Sequence, residues 1–401
     1  MDANNDTSIG ALEQEPQTRS GVRTVMQVLP ALVSGGVERG TIDVAEAIVA
    51  AGGRAIVVSA GGPMSAELVR ARAEHIILPV DSKNPVTIYK NIERLADIIR
   101  REKVDIVHAR SRAPAWSAWK AAKRTDTTFV TTFHGTYSHG NAFKRWYNSV
   151  MVRGERVIAI SDFIAGHIRQ IYGVPTDRIR VIPRGVDVSR FDIPVISSER
   201  VVALAQRWRL PDGMPVVMLP GRLTRWKGQM VFLDAVARLG RRDVQFLMVG
   251  SEGSRSGYRA ELERSISSRG LSEIVHVIGD CNDMPAAYML TDVVISASTD
   301  PEAFGRVIVE AQSVGRPVVA TDHGGARETV LENETGWLVK PGDGAELAQA
   351  IEKALSLDAA DRARLQDRAV AHVRENYTKA LMCRRTLAVY DELLRERTSA
   401  R

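Results

Sequence analysis

Two hydrophobic periodicities alternate along the 401-residue chain. Short apolar runs rich in Val, Ile and Leu are followed by longer stretches in which apolar residues return every three or four positions. The first pattern predicts buried strands, the second amphipathic helices. In the first half, the runs at 22–29, 54–59, 75–78, 104–108, 129–133, 156–160 and 178–182 read as strands. Helices are predicted over 37–51, 87–102 and 114–123, the second with Ile88, Ile92, Leu95 and Ile99 on one face. Another helix starts at Asp162, with Ser161 as its N-cap. Between 192 and 214 the pattern is broken by Pro194, Ser197, Ser198, Pro211, Asp212 and Gly213, the signature of a connection around one helical stretch. The alternation then restarts. Strands are predicted at 216–219, 245–249, 275–278, 293–296, 317–320 and 337–339, and helical patterns at 345–355, 361–376 and 380–397 close the chain.

Strand–helix alternation run twice argues for an α/β protein of two doubly wound domains with parallel sheets. The expected division is a polar leader at 1–20, a first domain at 21–195, a connecting region at 196–215 and a second domain at 216–380. Ligands of such sheets bind at the carboxyl ends of the strands. Two such domains facing each other make a cleft, and the chemistry belongs in the strand-to-helix loops of both.

Composition narrows the class. Two cysteines, Cys281 and Cys383, are too few for a disulfide scaffold or a thiolate metal site. No apolar run reaches the ~18–20 residues of a membrane span. The first 20 residues, with four acids and one arginine, are the reverse of a secretory signal and read as a disordered leader. The expected setting is cytoplasmic. The net charge of +6 is uneven: residues 21–200 carry 26 basic against 17 acidic side chains, whereas residues 201–401 carry 27 of each. The basic half suits an anionic partner, and without further signals it also suits an ordinary solvated surface.

Candidate chemistry clusters in the predicted loops. After the strand at 293–296 comes Asp300-Pro301-Glu302-Ala303-Phe304-Gly305, then a helix expected to begin near Phe304. A helix start offers free N–H groups to a diphosphate, and Glu302 stands just before it. Glu310, two turns further on by this reading, could accept hydrogen bonds from ribose hydroxyls. Either acid alone would read as ordinary helix-end compensation. After the strand at 216–219 stands Gly221-Arg222-Leu223-Thr224-Arg225-Trp226-Lys227-Gly228, whose cations can neutralise phosphates. In the first half, Gly35-Gly36 opens a helix and His134 ends a strand. The first loop lacks Gly-x-Gly-x-x-Gly, which argues against a nicotinamide dinucleotide enzyme.

Taken in order, these segments resemble the family-4 retaining glycosyltransferases of GT-B fold. Glu302 to Glu310 is similar to their Glu-x7-Glu motif, Gly315-Arg316-Pro317-Val318-Val319-Ala320-Thr321 to their Gly-x-Pro-Val-Ile/Val-Ala segment, and Gly324-Gly325-Ala326-Arg327-Glu328 to their Gly-Gly-x-x-Glu loop. Gly221 to Gly228 resembles their Gly-Arg…Lys-Gly phosphate loop. Val181-Ile182-Pro183-Arg184-Gly185-Val186-Asp187 resembles their interdomain segment, with Arg184 where Asn is usual. The resemblance implies two Rossmann-like domains facing a cleft, the first binding acceptor and the second a nucleotide sugar. It implies a last helix, from about 381 to 401, that crosses back to the first domain. His134, Glu302, Arg222 and Lys227 become the expected catalytic residues. Arg222, Lys227, Phe304, Gly305, Glu310 and Ile278 become the donor-binding set, and Gly35 and Gly36 an acceptor or phosphate loop. No cofactor is expected, and no metal, since Asp-x-Asp is missing and two loop cations are present. Arg110, Arg112, Lys120, Lys144 and Arg145, interleaved with tryptophans, are expected to meet an anionic acceptor or the inner face of a bacterial inner membrane. Nucleic acid is not an expected partner. Within the family, Ala109-Arg110-Ser111-Arg112 and Thr131-Thr132-Phe133-His134-Gly135 look like the lipopolysaccharide-core mannosyltransferases, which implies GDP-mannose and a Kdo-containing acceptor. A sugar-nucleotide epimerase of the same fold and a non-catalytic nucleotide-sugar binder are the competing readings.

Overall fold

The computed structural model describes residues 23–33, 35–252 and 257–399. The predicted leader, Val22 and Ser34 lie outside them. Seven strands form the first sheet: β1 (Thr24–Val28), β2 (Arg54–Ser59), β3 (Glu74–Ile77), β4 (Ile106–Ala109), β5 (Thr128–Phe133), β6 (Arg156–Ala159) and β7 (Ile179–Val181). Six form the second: β8 (Val216–Pro220), β9 (Gln245–Val249), β10 (Val275–Ile278), β11 (Val293–Ser296), β12 (Val318–Thr321) and β13 (Gly336–Val339). The spatial orders are β3-β2-β1-β4-β5-β6-β7 and β10-β9-β8-β11-β12-β13. Every described pair of neighbouring strands is parallel. Central strands such as β1, β8 and β11 are buried along their whole length, which is why they read as unbroken apolar runs rather than alternating ones.

The helices follow the sequence reading closely. Pro85–Glu102 is capped by Asn84, and Asp162–Tyr172 by Ser161, whose Oγ accepts from Ile164 N at 3.1 Å. The connection holds the helix Ser198–Trp208. Two short helices escaped the sequence reading, Ser65–Arg70 and Ala142–Asn148.

The last helix, Lys379–Ser399, packs on the first sheet's helix Gly36–Ala50. Met382, Cys383, Val389, Tyr390 and Leu393 are buried in one cluster with Val25, Leu29, Ile42 and Ile48. Tyr390 Oη lies 2.6 Å from His108 Nδ1 on β4, and Arg156 and Arg180 bind Glu392. The two domains also touch directly. Ser161 Oγ donates to Ala303 O at 2.6 Å. The Glu328 carboxylate accepts from the N–H groups of Asp162 and Phe163 at the start of a first-domain helix.

Candidate active site

A doubly wound sheet opens a crevice where its strand order reverses. Here the reversals fall between β1 and β4 and between β8 and β11. The loops leaving those four strands carry Gly35 and Gly36, Arg110, Arg222 to Gly228, and Ala297 to Gly305. Those after β1, β8 and β11, together with the segments after β5 and β7, line a cavity of about 500 Å³, with Gly36, His134 and Arg184 on one side and Arg222, Glu302 and Arg306 on the other; Arg110 is not among its lining residues. Four of these six, Gly36, His134, Arg222 and Glu302, were expected in the cleft from the sequence; Arg184 and Arg306 were not.

The second-domain wall is built around an ion pair. Lys227 Nζ lies 2.6 Å from Glu302 Oε1, and both side chains are largely buried, at 13% and 15% exposure. Gly228 makes that approach feasible. Its φ is 77°, and a Cβ there would collide with the Ala297 carbonyl, so only glycine lets this loop lie against the exit of β11. The Glu302 Oε1 also accepts from Ser298 and Ser296. Burial pushes the Glu302 carboxyl up, but the Lys227 ammonium and the hydroxyls outweigh it and hold the pKa below the usual glutamate range. All three described bonds fall on Oε1, which leaves Oε2 for a ligand hydroxyl. Arg222 is exposed at the cavity mouth.

The following helix is Arg306–Ser313, not a helix from Phe304. Gly305 adopts φ 82°, and the Phe304 ring turns into the core against Tyr377. These two features delay the helix, so Glu310 lies one turn inside it rather than two. Phe304 and Gly305 line the cavity, but the Phe304 side chain is only 4% exposed. Glu310 is also buried. Its carboxylate accepts from Tyr288 Oη at 3.0 Å and Arg306 Nε at 2.7 Å. Gly305 provides no side-chain cap, so the first N–H groups of this helix remain available to an anion beside Arg222.

On the opposite wall, both ring nitrogens of His134 are shut from solvent with no hydrogen-bond partner among the described residues. Burial, with Arg184, Arg110 and His108 adding to it, holds His134 well below the usual histidine range, so the ring is neutral near pH 7. The neutral ring carries one donor and one acceptor, which reach a ligand only when the ring turns its nitrogens toward the cavity. Gly35 caps the helix Gly36–Ala50 without a side chain, which leaves a second helix N-terminus open to the cavity.

Some expected positions fall elsewhere. Arg110 does not face a membrane: it is 3% exposed, drawn inside because it follows directly on the buried strand β4. Arg112 is half-buried, bonded to Asn148 and stacked 4.1 Å over Tyr137, so its charge serves the fold. Lys120, Lys144 and Arg145 are exposed as expected. Ile278 ends β10 and packs against the core, outside the lining of the cavity. Tyr288, Arg306 and Asp43 were missed. Arg306 could have been found as the first helical residue after Gly305, but Tyr288 and Asp43 carry no local signal.

A pair of facing parallel α/β domains with a crossing terminal helix is the GT-B architecture, and comparison with known proteins agrees. The family descriptions "Glycosyltransferase Family 4" and "Glycosyl transferases group 1" match residues 34–190 and 203–372. A glycosyltransferase of Rickettsia africae ESF-5 is 40% identical with a TM-score of 0.88, over 94% of this chain and 99% of that one. The Anabaena protein Alr3699/HepE, solved with UDP and glucose, is 25% identical with a TM-score of 0.80, over 92% of this chain and 99% of that one. A D-inositol 3-phosphate glycosyltransferase of Xylanimonas cellulosilytica is 33% identical over 65% of this chain; the match spans 66% of that protein, a little under two thirds of its length. The chain belongs to the GT-B glycosyltransferases, with a family 4 first half and a group 1 second half.

Proposed function

We propose that the protein is a retaining glycosyltransferase that moves a hexose from a nucleotide sugar to a hydroxyl of an anionic cell-envelope acceptor. The observation that carries this reading is the cavity itself. It brings Arg222, the Lys227–Glu302 pair and an uncapped helix start to face a neutral His134 across about 500 Å³. Arg222, Lys227 and the helix N-terminus would neutralise the diphosphate and the charge that grows as it leaves. Glu302 Oε2 and His134 would hold sugar hydroxyls. Glu302 is the one largely buried carboxylate among the residues that line the cavity; Asp300, the other, is exposed on the same loop, and the two do not form the facing pair of acids that a double displacement uses. Front-face substitution fits this set: the leaving phosphate takes the acceptor proton while the protein positions the reactants. The loop cations supply the electrostatics a divalent ion would otherwise supply, so catalysis is expected to survive chelation.

The finer reading is a mannosyltransferase similar to the lipopolysaccharide-core enzyme LpcC, with GDP-mannose as donor and the Kdo inner core of lipid A as acceptor. Its support is the sequence resemblance and the basic first half. A second support lies on the surface. Phe143 and Trp146, 71% and 54% exposed, flank Lys144 and Arg145 on the helix Ala142–Asn148. Trp146 stacks on Trp116, which meets Trp119, and Arg153 covers both of the latter. Such an aromatic and basic face suits peripheral contact with an anionic bilayer. Among the described residues, no helix is long and apolar enough to cross one.

The test is a transfer assay with UDP- and GDP-hexoses on Kdo-lipid A, with and without chelator, reading the anomeric configuration of the product. Retention with a GDP-hexose, undiminished by chelator, is expected. An inverted product refutes the mechanism, and transfer from UDP-hexoses alone refutes the mannosyl reading. Binding to anionic vesicles is expected to fall steeply with salt and to weaken when Lys144 and Arg145 are neutralised, because each basic residue adds about 1 kcal/mol at such a surface. Equal binding to neutral vesicles would remove the membrane assignment.

A further inference from the structure

Two guanidiniums of the first domain have no role in the chemistry above. Arg110 leaves β4, and Arg184 stands in the segment after β7; they are 3% and 9% exposed. Both reach the same point over the helix Gly36–Ala50. A side chain at Gly40 would run into the Arg184 guanidinium and touch that of Arg110, so the missing Cβ is what makes room for the two cations. Arg184 Nη2 donates to Gly36 O at 2.5 Å. Arg110 Nε is buried without a hydrogen-bond partner among the described residues.

The local charge does not balance. Neither arginine forms an ion pair with an acid among the described residues. Arg306, a third cation that approaches Arg184 from the second domain, is held by Glu310. Asp43 and Glu38 act on Arg184 by charge without pairing with it, and burial lifts the Asp43 pKa to about 6. Burial, with Arg110 and Arg306 adding repulsion, lowers the Arg184 pKa to about 9. Buried cations are normally paired. Arg184 lines the open cavity and Arg110 lies behind it, next to the same point over Gly40; two such cations without an ion-pair partner make a socket for an anion, and a guanidinium binds carboxylate or phosphate through two parallel hydrogen bonds.

Position indicates which anion. The proposed donor diphosphate has its own cations, Arg222 and Lys227, on the second domain. Arg184 lines the cavity from the opposite wall, beside His134 and Gly36. We infer that Arg110 and Arg184 form a subsite for an anionic group, carboxylate or phosphate, carried by the acceptor next to the hydroxyl that receives the sugar. The inference rests on the proposed glycosyl transfer for the word acceptor. It also gives a role to Arg184, where the resembling family carries Asn.

The experiment uses the full chain saturated with the nucleotide sugar it binds, so that the donor cations and the sugar pocket are occupied. Sodium acetate and inorganic phosphate are then titrated by calorimetry against the wild type, Arg184→Asn, Arg184→Lys and Arg110→Gln. The wild type is expected to bind at least one of these anions in the millimolar range or tighter. Arg184→Asn and Arg110→Gln should weaken it at least tenfold, Arg184→Lys less, and nucleotide-sugar affinity should stay within about twofold. Whichever of acetate and phosphate binds names the group. Without added anion, Arg184→Asn should melt at or above the wild type, because it removes a buried unpaired charge. A merely structural arginine would give a lower melting point through loss of the bond to Gly36. Anion binding unchanged in both Asn and Gln variants overturns the proposal. So does anion binding that disappears once the nucleotide sugar is present, which would assign the cations to the donor sugar. If no nucleotide sugar binds at all, the glycosyl-transfer reading fails. The same titration on the free protein, with Arg222→Ala as control, then still decides whether Arg110 and Arg184 hold an anion.

Discussion

Replacing Glu302 by Gln should separate binding from turnover. In the free protein Lys227 is already engaged: its ammonium lies 2.6 Å from Glu302 Oε1, in a setting where both side chains are only 13% and 15% exposed. A hydrogen bond between charged partners contributes about 1.5–3 kcal/mol. A nucleoside diphosphate must compete with Glu302 for that cation. The Gln side chain can still accept from Ser298 but no longer holds Lys227 by charge. If ~1.4 kcal/mol of the interaction becomes available to the phosphates, nucleotide affinity rises about tenfold. Turnover should move the other way, because Glu302 is proposed to hold the donor sugar as charge develops. A lost contact of that kind costs roughly 2.7–4 kcal/mol, or on the order of 100- to 1,000-fold in rate. Calorimetry with UDP and GDP and initial rates of transfer on the same preparation measure both effects. Tighter nucleotide binding with a collapsed kcat is expected. Weaker nucleotide binding, or a rate close to that of the wild type, would refute the assignment of Lys227 to the diphosphate and of Glu302 to the donor sugar.

Arg222→Ala should lower turnover by a comparable ~100-fold or more. Because the side chain is exposed, the melting temperature should not move by more than about 1 °C for a change within ±0.5 kcal/mol; a large drop in melting temperature with retained rate would make Arg222 structural. Glu310→Gln should weaken donor binding, because the ribose hydroxyls it is expected to hold lose a charged acceptor, by about 1.5–3 kcal/mol per charged contact. Donor affinity unchanged by direct titration would confine Glu310 to holding its own helix. Asp43 gives a pH prediction. Its folded pKa, raised by burial to about 6 from 3.8, means the stability it contributes is present below about pH 4 and lost as pH rises through 6. A shift of about 2 units sets an upper bound of ~3 kcal/mol. Asp43→Asn should lack this slope, so its melting temperature should gain on the wild type between pH 4.5 and 7.5; parallel pH profiles would contradict the assignment.

The strands were legible almost residue for residue, because buried parallel strands are short apolar runs bounded by turn residues. β9, β10 and β11 have the bounds read from the pattern alone. The site was legible as loops, since doubly wound topology puts ligands at strand ends. Its detail was not. The start of the helix Arg306–Ser313 depends on Phe304 choosing the core and Gly305 taking a positive φ, and neither follows from periodicity. The Lys227–Glu302 pair joins residues 75 positions apart. Arg110 looked like a surface charge because arginine usually is one. Its burial depends on Gly40 and Arg184, residues distant in sequence that only the fold brings over it. Arg184 itself was visible as a departure from the resembling motif, without a hint of what it faces.

The central claim is that a nucleotide sugar lies across the two switch points, and a crystal structure of the protein soaked with the sugar nucleotide that binds it in solution tests this most directly. The diphosphate is expected between Arg222, Lys227 and the N-terminus of the helix Arg306–Ser313, with the hexose within hydrogen-bond reach of Glu302 and His134. A nucleotide seated in any other pocket, or a diphosphate turned away from Arg222 and Lys227, would contradict it.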